Sequence, residues 1–334
     1  MAETERVGPG PIEGVRMGTD REGQVLLVCS GGGHLRQLAG LVDRLGYSVD
    51  QQVWVTFKNA FSESLLADRD VVWAPFAGPR DTKNIARLMT MAPGVIAKHD
   101  FTTAVSTGSS PAVAFLPYAA LRGIDAHYVE SAARAAGPSL TGKIIARSPR
   151  VRTYCQYPQW SDDTWQYRGS IFDAFEPAPA STAGQPRRAV VSVGTQEGYP
   201  FMRLFEAVVP LLADMDEVLY QTGDADVSAL GIHGSASVPH AEMQAAIREA
   251  DVVITHAGVG TAITALEAGK HPILVPRRAS HGEHVDDHQE QVANELSRRG
   301  LATLRYPDTL SAEDLVTAAS RSTRTVPPPP FTFA

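Results

Sequence analysis

Residues 252–289 read VVITHAGVGTAITALEAGKHPILVPRRASHGEHVDDHQ. Val252–Thr255 is a short apolar, β-branched run, the kind that forms a strand buried on both faces. His256, Ala257, Gly258, Val259 and Gly260 follow at once. The glycines permit a tight turn and let backbone N–H groups approach a ligand. Spacing predicts a helix over Thr261–Ala268, stopped by Gly269. A strand at Pro272–Val275 then leads through Pro276 into a loop of donors and acceptors: Arg277, Arg278, His281, Glu283, His284, Asp286, Asp287, His288 and Gln289. A glycine turn before a helix is common, and a polar loop is often only solvated. Here both follow successive strands of one sheet, so both belong at its carboxyl edge, where open α/β sheets bind ligands.

The segments HAGVGT (256–261), LEAGKHPILVPRRASHGEH (266–284) and DDHQ (286–289) resemble the donor-binding half of the family 28 glycosyltransferases. The likeness is to bacterial capsular and exopolysaccharide transferases and to the two-subunit enzyme that adds the second N-acetylglucosamine to a dolichol-linked sugar. More distantly, it is to the peptidoglycan transferase that makes lipid II. The resemblance implies a UDP-sugar donor. By the same resemblance, backbone near Pro239 and His240 reads the uracil. The Gly194-Thr195-Gln196 turn and the His256, Gly258, Val259, Gly260, Thr261 turn meet the diphosphate. Glu283, His284, Asp287, His288 and Gln289 reach the sugar or the phosphates. The lipid II enzyme holds the ribose with a glutamate where this chain has Thr264; Glu267, one turn on, is either the substitute or a structural cap.

Outward from that stretch, the first half repeats the scheme. Gln24–Cys29 predicts a buried strand, Ser30-Gly31-Gly32-Gly33-His34 a glycine turn, and Leu35–Leu45 a helix. The dinucleotide fingerprint G-x-G-x-x-G is absent. Further strands are predicted at Gln52–Phe57, Val71–Pro75, Phe101–Ser106 and Ile124–Val129. Helices are predicted at Asn59–Ala67, Ile85–Lys98 and Ala112–Leu121. A polar loop carries Arg80, and Thr107-Gly108-Ser109-Ser110-Pro111 is a small-residue turn with proline near the first helical position. Glu130 ends a buried strand, either as an ion pair with Arg134 or as a catalytic base. The runs ESAAR (130–134), SLTGK (139–143) and YCQYPQW (154–160) resemble the acceptor-side subunit of the dolichol-linked enzyme and its bacterial counterparts. The chain therefore looks like a fusion of the two halves. The resemblance spans roughly residues 24–160 and 188–320 and implies an α/β fold of two Rossmann-like domains facing across a cleft, the GT-B arrangement.

Domain boundaries follow from composition. Residues 1–22 are polar and rich in glycine and proline, which predicts a disordered tail rather than a signal peptide. Residues 23–169 form the acceptor-side domain, 170–187 a linker, 188–322 the donor domain and 323–334 a tail that is loose or strapped to the surface. In the donor domain, strands are also predicted at Ala189–Val193, Val218–Gln221 and Ala236–Val238, and helices at Phe201–Ala213 and Glu242–Glu249. A net charge of −7 argues against general nucleic-acid binding. Residues 23–152 hold 14 Lys/Arg against 9 Asp/Glu, or +5, leaving −12 for the rest. No stretch approaches the ~20 apolar residues of a membrane span. The expectation is a cytoplasmic protein with peripheral contact at the inner membrane face, through Ala112–Leu121 and Lys143–Arg152. Cys29 and Cys155 are expected as buried thiols.

The resemblance implies inverting transfer from a UDP-sugar to a polyprenyl-diphosphate-linked sugar in cell-surface polysaccharide synthesis, with a soluble natural-product acceptor as the alternative. Charge grows on the departing UDP, and helix N-termini and histidines can stabilise it with no metal or other cofactor. A base must take the acceptor proton. Glu130 is the first candidate and His34 the second. Gly32, Gly33, Arg80, Gly108, Ser109 and Arg134 are expected on the acceptor side. Competing classes are a sugar-nucleotide epimerase, a non-catalytic nucleotide-sugar sensor and a zinc hydrolase. The last would use His281, His284 and His288, although Gly282 weakens a helix there.

Overall fold

The computed structural model describes residues 22–78, 81–179, 184–194 and 198–333. The expected tail at 1–21 therefore lies outside the described residues, as do Arg80, Thr195 and Gln196. The first sheet is built from β1 (Gln24–Cys29), β2 (Gln52–Phe57), β3 (Asp70–Ala74), β4 (Phe101–Gly108), β5 (Asp125–Val129), β6 (Val151–Cys155) and β7 (Trp165–Tyr167). Its order is β3-β2-β1-β4-β5-β6-β7 and its pairs are parallel. Helices α1 (Gly33–Val42), α2 (Ala60–Leu65), α3 (Thr82–Ile96), α4 (Ser110–Leu121) and α5 (Leu140–Ile145) connect them. Strand β1 is buried almost throughout, as a parallel strand covered on both faces must be.

Crossing to the second domain, the chain forms β8 (Phe175–Ala178) and then β9 (Arg188–Ser192), α6 (Met202–Leu211), β10 (Glu217–Gln221), α7 (His240–Glu249), β11 (Val252–His256), α8 (Val259–Glu267), β12 (Ile273–Val275), α9 (His288–Arg298), β13 (Thr303–Leu304), α10 (Ala312–Ser320) and β14 (Ser322–Thr325). The second sheet runs β10-β9-β11-β12-β13, again parallel. Each sheet reverses its winding once, between β1 and β4 and between β9 and β11. These switch points open the crevices where doubly wound sheets take ligands. The glycine turns after β1, β4, β9 and β11 all sit there.

Two expectations change. Ala236–Val238 is not a strand; only Ser235 bridges to Gln221. The run is too short to ladder onto the edge strand β10. The segment 170–187 is not simply a linker. Ser170 caps a 3-10 turn at Ile171–Ala174, Phe172 is fully buried, and β8 pairs antiparallel with β14. Of the two forms expected for the tail, 323–333 takes the strapped one. It returns to the first domain, where Phe331 is 2% exposed, Arg44 donates to the Pro329 carbonyl at 2.8 Å and Phe333 stacks on His127 with ring centroids 3.7 Å apart. Both cysteines are buried thiols. No described helix is long and apolar enough to cross a membrane.

Candidate functional site

The two switch points face each other. A Cβ placed on Gly260 would lie 3.4 Å from the Gly33 Cα, in ordinary van der Waals contact, so the N-termini of α1 and α8 abut. Arg36 of α1 pairs with Glu267 of α8 across the joint, Arg134 Nη1 donates to Asp286 Oδ2 at 2.8 Å, and Ala136 N–H donates to Gln291 at 3.1 Å. The Phe61 and His240 rings meet edge-on at 4.8 Å. The domains are thus joined around the cleft by residues from both halves.

On the acceptor side, His34 stands at the start of α1. Its Nδ1 lies 2.7 Å from the Thr107 carbonyl. A carbonyl only accepts, so Nδ1 carries the proton and Nε2 keeps its lone pair. Thr107 Oγ1 donates back to the His34 carbonyl at 2.8 Å, which fixes the ring's base. Burial lowers the His34 pKa below 6.5, outweighing the carbonyl's opposing effect; nearby His288 and Arg134 push it the same way as burial. The neutral imidazole is therefore the working form near pH 7. Gly108 closes against it: a Cβ there would come within 3.0 Å of His34 Cε1. Ser109, next in line, has φ +72°, the sole such non-glycine among the described residues. That is a strained conformation of the kind that clusters at functional sites. Gly32, at φ +69°, caps α1 with nothing above it among the described residues.

Glu130 is set differently. It is 1% exposed. Oε1 accepts from Tyr128 Oη at 3.2 Å and Ser131 N at 3.0 Å; Oε2 accepts from Ser139 N at 2.9 Å and Ser139 Oγ at 3.0 Å. Four donors use the roughly four lone-pair positions of a carboxylate. Burial raises its pKa, and the hydrogen bonds from Ser139 and Ser131 oppose that. The group that the sequence favours as the base thus has its lone pairs occupied, and Arg134, its expected ion-pair partner, bonds Asp286 instead. What Glu130 does is pin the 131–139 loop and the start of α5. That loop and α5 border a cavity of about 290 Å³ lined by Arg134, Ala136, Gly137, Pro138, Lys143 and Gln291.

On the donor side, His256 ends β11 between two glycine turns. A Cβ on Gly194 would lie 2.7 Å from its Cε1, and one on Gly258 2.2 Å from its Nε2. Burial, then the nearby Arg277 charge, lower its pKa to about 3, so this ring stays neutral. Val259 is buried and opens α8, while Thr261 follows at intermediate exposure. Thr264 turns its hydroxyl back to the Gly260 carbonyl at 3.1 Å. Glu267, expected at the ribose, is engaged by Arg36.

The 277–289 loop divides into two kinds of residue. Glu283 takes a bidentate bond from Arg203, at 2.7 and 3.0 Å, and the Arg278 N–H at 3.0 Å. Asp287 accepts from Ala279 N at 2.9 Å, and Gln289 Oε1 from Arg277 N at 3.0 Å. All three, expected on the donor, hold the fold of the loop. Arg278 stacks on Tyr306 at 4.1 Å. The His284 and His288 rings meet edge to face, with centroids 4.6 Å apart. Asp286 joins His288 Nδ1 to Arg134. His284, Asp286 and His288 have ligand atoms within 4.8 Å of one another. That cluster replaces the His281, His284, His288 set: His281 sits exposed on a separate 3-10 turn. Arg134 already bonds one oxygen of Asp286, which spends charge that a cation would need.

Sequence reasoning did not assign Asp286, Arg36, Arg203 or Gln37. Gln37 is 2% exposed and ties α1 to the next loop, donating to Ser131 Oγ at 3.0 Å and accepting from Ala132 N at 2.7 Å. A buried glutamine inside an apolar helix was the available signal.

Residues 188–322 match the family model for the glycosyltransferase family 28 C-terminal domain. Over 182 residues the chain is 26% identical to the UDP-N-acetylglucosamine--N-acetylmuramyl-(pentapeptide) pyrophosphoryl-undecaprenol N-acetylglucosamine transferase of Solibacter usitatus (strain Ellin6076), covering 50% of this chain and 49% of that protein. Over 50 residues it is 42% identical to the UDP-N-acetylglucosamine transferase subunit ALG13 of Yarrowia lipolytica, covering 15% of this chain and 24% of that one. The chain spans about half the length, or less, of the curated relatives it matches. In fold it is similar to Acinetobacter baumannii MurG, with TM-score 0.54 and 19% identity over 88% of this chain and 89% of the other. The two-domain architecture is GT-B.

Proposed function

We propose, from the premise that residues 188–322 belong to glycosyltransferase family 28 as its C-terminal domain, that this chain is an inverting, UDP-sugar-dependent hexosyltransferase. Its acceptor is a sugar carried on a polyprenyl diphosphate. The observation that supports this most is the abutment of the α1 and α8 N-termini with His34 at the joint. The donor diphosphate binds at the α8 and Gly194 turns, where dipole ends and backbone N–H groups favour anions. The acceptor hydroxyl attacks the anomeric carbon from the face opposite UDP. The bond from that carbon to the diphosphate oxygen breaks, and the hydroxyl proton passes to His34 Nε2. Arg134 and Lys143, beside the interdomain cavity, suit an acceptor phosphate.

Peripheral membrane contact is part of this reading, with a changed surface. Helix α4 is largely buried, and Leu121 is the one large apolar side chain of Ala112–Leu121 that is exposed. On α5, Leu140 and Ile144 are 61% and 41% exposed and flank Lys143, which suits an anionic lipid surface.

The test is transfer by purified protein from UDP-glucose, UDP-galactose, UDP-N-acetylglucosamine and UDP-glucuronate to a short-chain polyprenyl-diphosphate sugar, with the product anomer read by NMR. Transfer with inversion is expected from one donor. Retention of configuration, or UDP-sugar conversion without acceptor, would sink the reading. Equal transfer to a soluble aglycone without lipid would move the acceptor to the natural-product class.

A further inference from the structure

Arg277 follows β12 at the carboxyl edge of the second sheet and is 1% exposed. Only one of its guanidinium nitrogens has a hydrogen-bond partner among the described residues: Nη2 donates to the Val193 carbonyl at 2.7 Å. Nε and Nη1 are buried with none. Gln289 holds its backbone N–H, and the Phe201 ring lies 5.8 Å from the guanidinium carbon, so the side chain is fixed in place. Its two acidic neighbours are committed elsewhere. Glu283 is taken by Arg203 and the Arg278 N–H, and Asp224 accepts from Gly198 N. Burial lowers the Arg277 pKa to about 10, against the pull of Glu283 and Asp224, and the group remains a cation at neutral pH. A buried donor without a partner is rare in folded chains, and a buried cation without a direct counter-ion rarer still. The guanidinium fork matches the oxygens of phosphate or carboxylate.

We propose that Arg277 is the receptor for an anionic oxygen group of the donor, set beneath the Val193–Gly194 turn at the switch point between β9 and β11. Val193 is the last residue before Gly194, whose φ of +72° favours glycine. An anion arriving at that turn finds a fixed cation under it. Because Nε and Nη1 are shielded from solvent, the anion reaches them as the turn shifts, so binding and local rearrangement come together. The sequence reads the neighbouring glycine turns as the anion site. The structure adds a buried cation there, which supplies the countercharge that otherwise comes from a metal ion. This rests on the sugar-nucleotide reading above. Two parts of such a donor carry these oxygens: the diphosphate, and the C6 carboxylate of a uronic acid sugar.

The experiment is NMR of the arginine Nε–H groups in the full chain, titrated with UDP, UDP-glucose and UDP-glucuronate, beside calorimetry of Arg277→Lys and Arg277→Met. The titration uses the native protein and does not depend on a variant folding. The Arg277 Nε–H signal is expected to move and to gain protection from exchange. Arg277→Met is expected to weaken binding about tenfold or more, as loss of a buried charge contact does, and Arg277→Lys by less. If the diphosphate is the source, UDP alone moves the signal and all three ligands weaken alike. If the carboxylate is the source, only UDP-glucuronate does so. Binding of UDP and UDP-glucuronate with the Arg277 signal unmoved by either would overturn the proposal and leave the sugar-nucleotide reading standing. Failure of the native chain to bind any of the three would sink both.

Discussion

Two residues at the edge of the first sheet are candidates for one proton, and their surroundings separate them. His34 has one nitrogen tied to a carbonyl and the other open; Glu130 has both oxygens filled by four donors. His34→Gln is therefore expected to lower kcat about 100-fold or more, the usual size of a lost general base, with the circular dichroism spectrum unchanged. The native enzyme should lose kcat/KM as His34 takes up a proton. Its pKa is lowered by burial, so that acid limb lies below 6.5, and it should be missing from the residual activity of the variant. A limb centred above 6.5 would assign it to another group. Glu130→Gln swaps one acceptor oxygen for an NH₂ that faces donors. It should cost about 1–3 kcal/mol of stability, read by denaturant unfolding, while turnover at low temperature stays within about tenfold. Loss of turnover with stability intact would return Glu130 to the base role. The sequence marks Glu130 as unusual because a carboxylate ends an apolar strand. It cannot show the donors, since Ser139 lies on a separate loop. Nor can it show the Thr107 carbonyl that selects the His34 tautomer, 73 residues away.

At the scale of elements, the strand–glycine–helix units were legible because their cause is local: apolar runs, glycines that permit the turn, and a helix start. The strand Gln24–Cys29 emerges as read, while the turn after β11 is tighter than read, with α8 starting at Val259 rather than Thr261. The interior of the 277–289 loop was not legible, because its wiring is long-range. Glu283 is fixed by Arg203, 80 residues upstream, and Asp286 by Arg134, 152 upstream. A row of polar letters does not distinguish the residues that fold a loop from those that face a ligand. The packing of His256 against Gly258 gives a direct test. Gly258→Ala would place a methyl 2.2 Å from His256 Nε2 and must displace the ring. It is expected to cost about 1–3 kcal/mol, as overpacking does, and to weaken UDP binding measurably by calorimetry. Native affinity and stability together would mean that the ring does not shape the turn.

Across the whole molecule, the domains are joined by more than a connecting segment. β8 pairs with β14, and residues 329–333 run back over the first domain, so the stretches read as linker and tail act as a strap. Proline and small-residue composition suggested looseness there, but Phe172 and Phe331 supply the apolar anchors that hold it. Acid should loosen this assembly. Burial lowers the pKa of His256 to about 3 and of His271 and His284 to about 4. They stay neutral in the folded chain while the unfolded chain takes up protons near 6.5. Their contribution is therefore fully present above pH 6.5 and is lost as pH falls toward 4. The melting temperature should decline across that window, and a flat profile there would contradict the burial. The proposed function sets a nucleotide-sugar site on the second sheet opposite a base on the first, and ligand-dependent melting of the full chain bears on this at once. UDP and its sugar conjugate are expected to raise the melting temperature selectively over TDP and GDP, with about 2.7 kcal/mol of stabilisation at a hundredfold excess over Kd. No shift with any nucleoside diphosphate at millimolar concentration, or an equal shift with all of them, would contradict the assignment of the second domain as a UDP-sugar site.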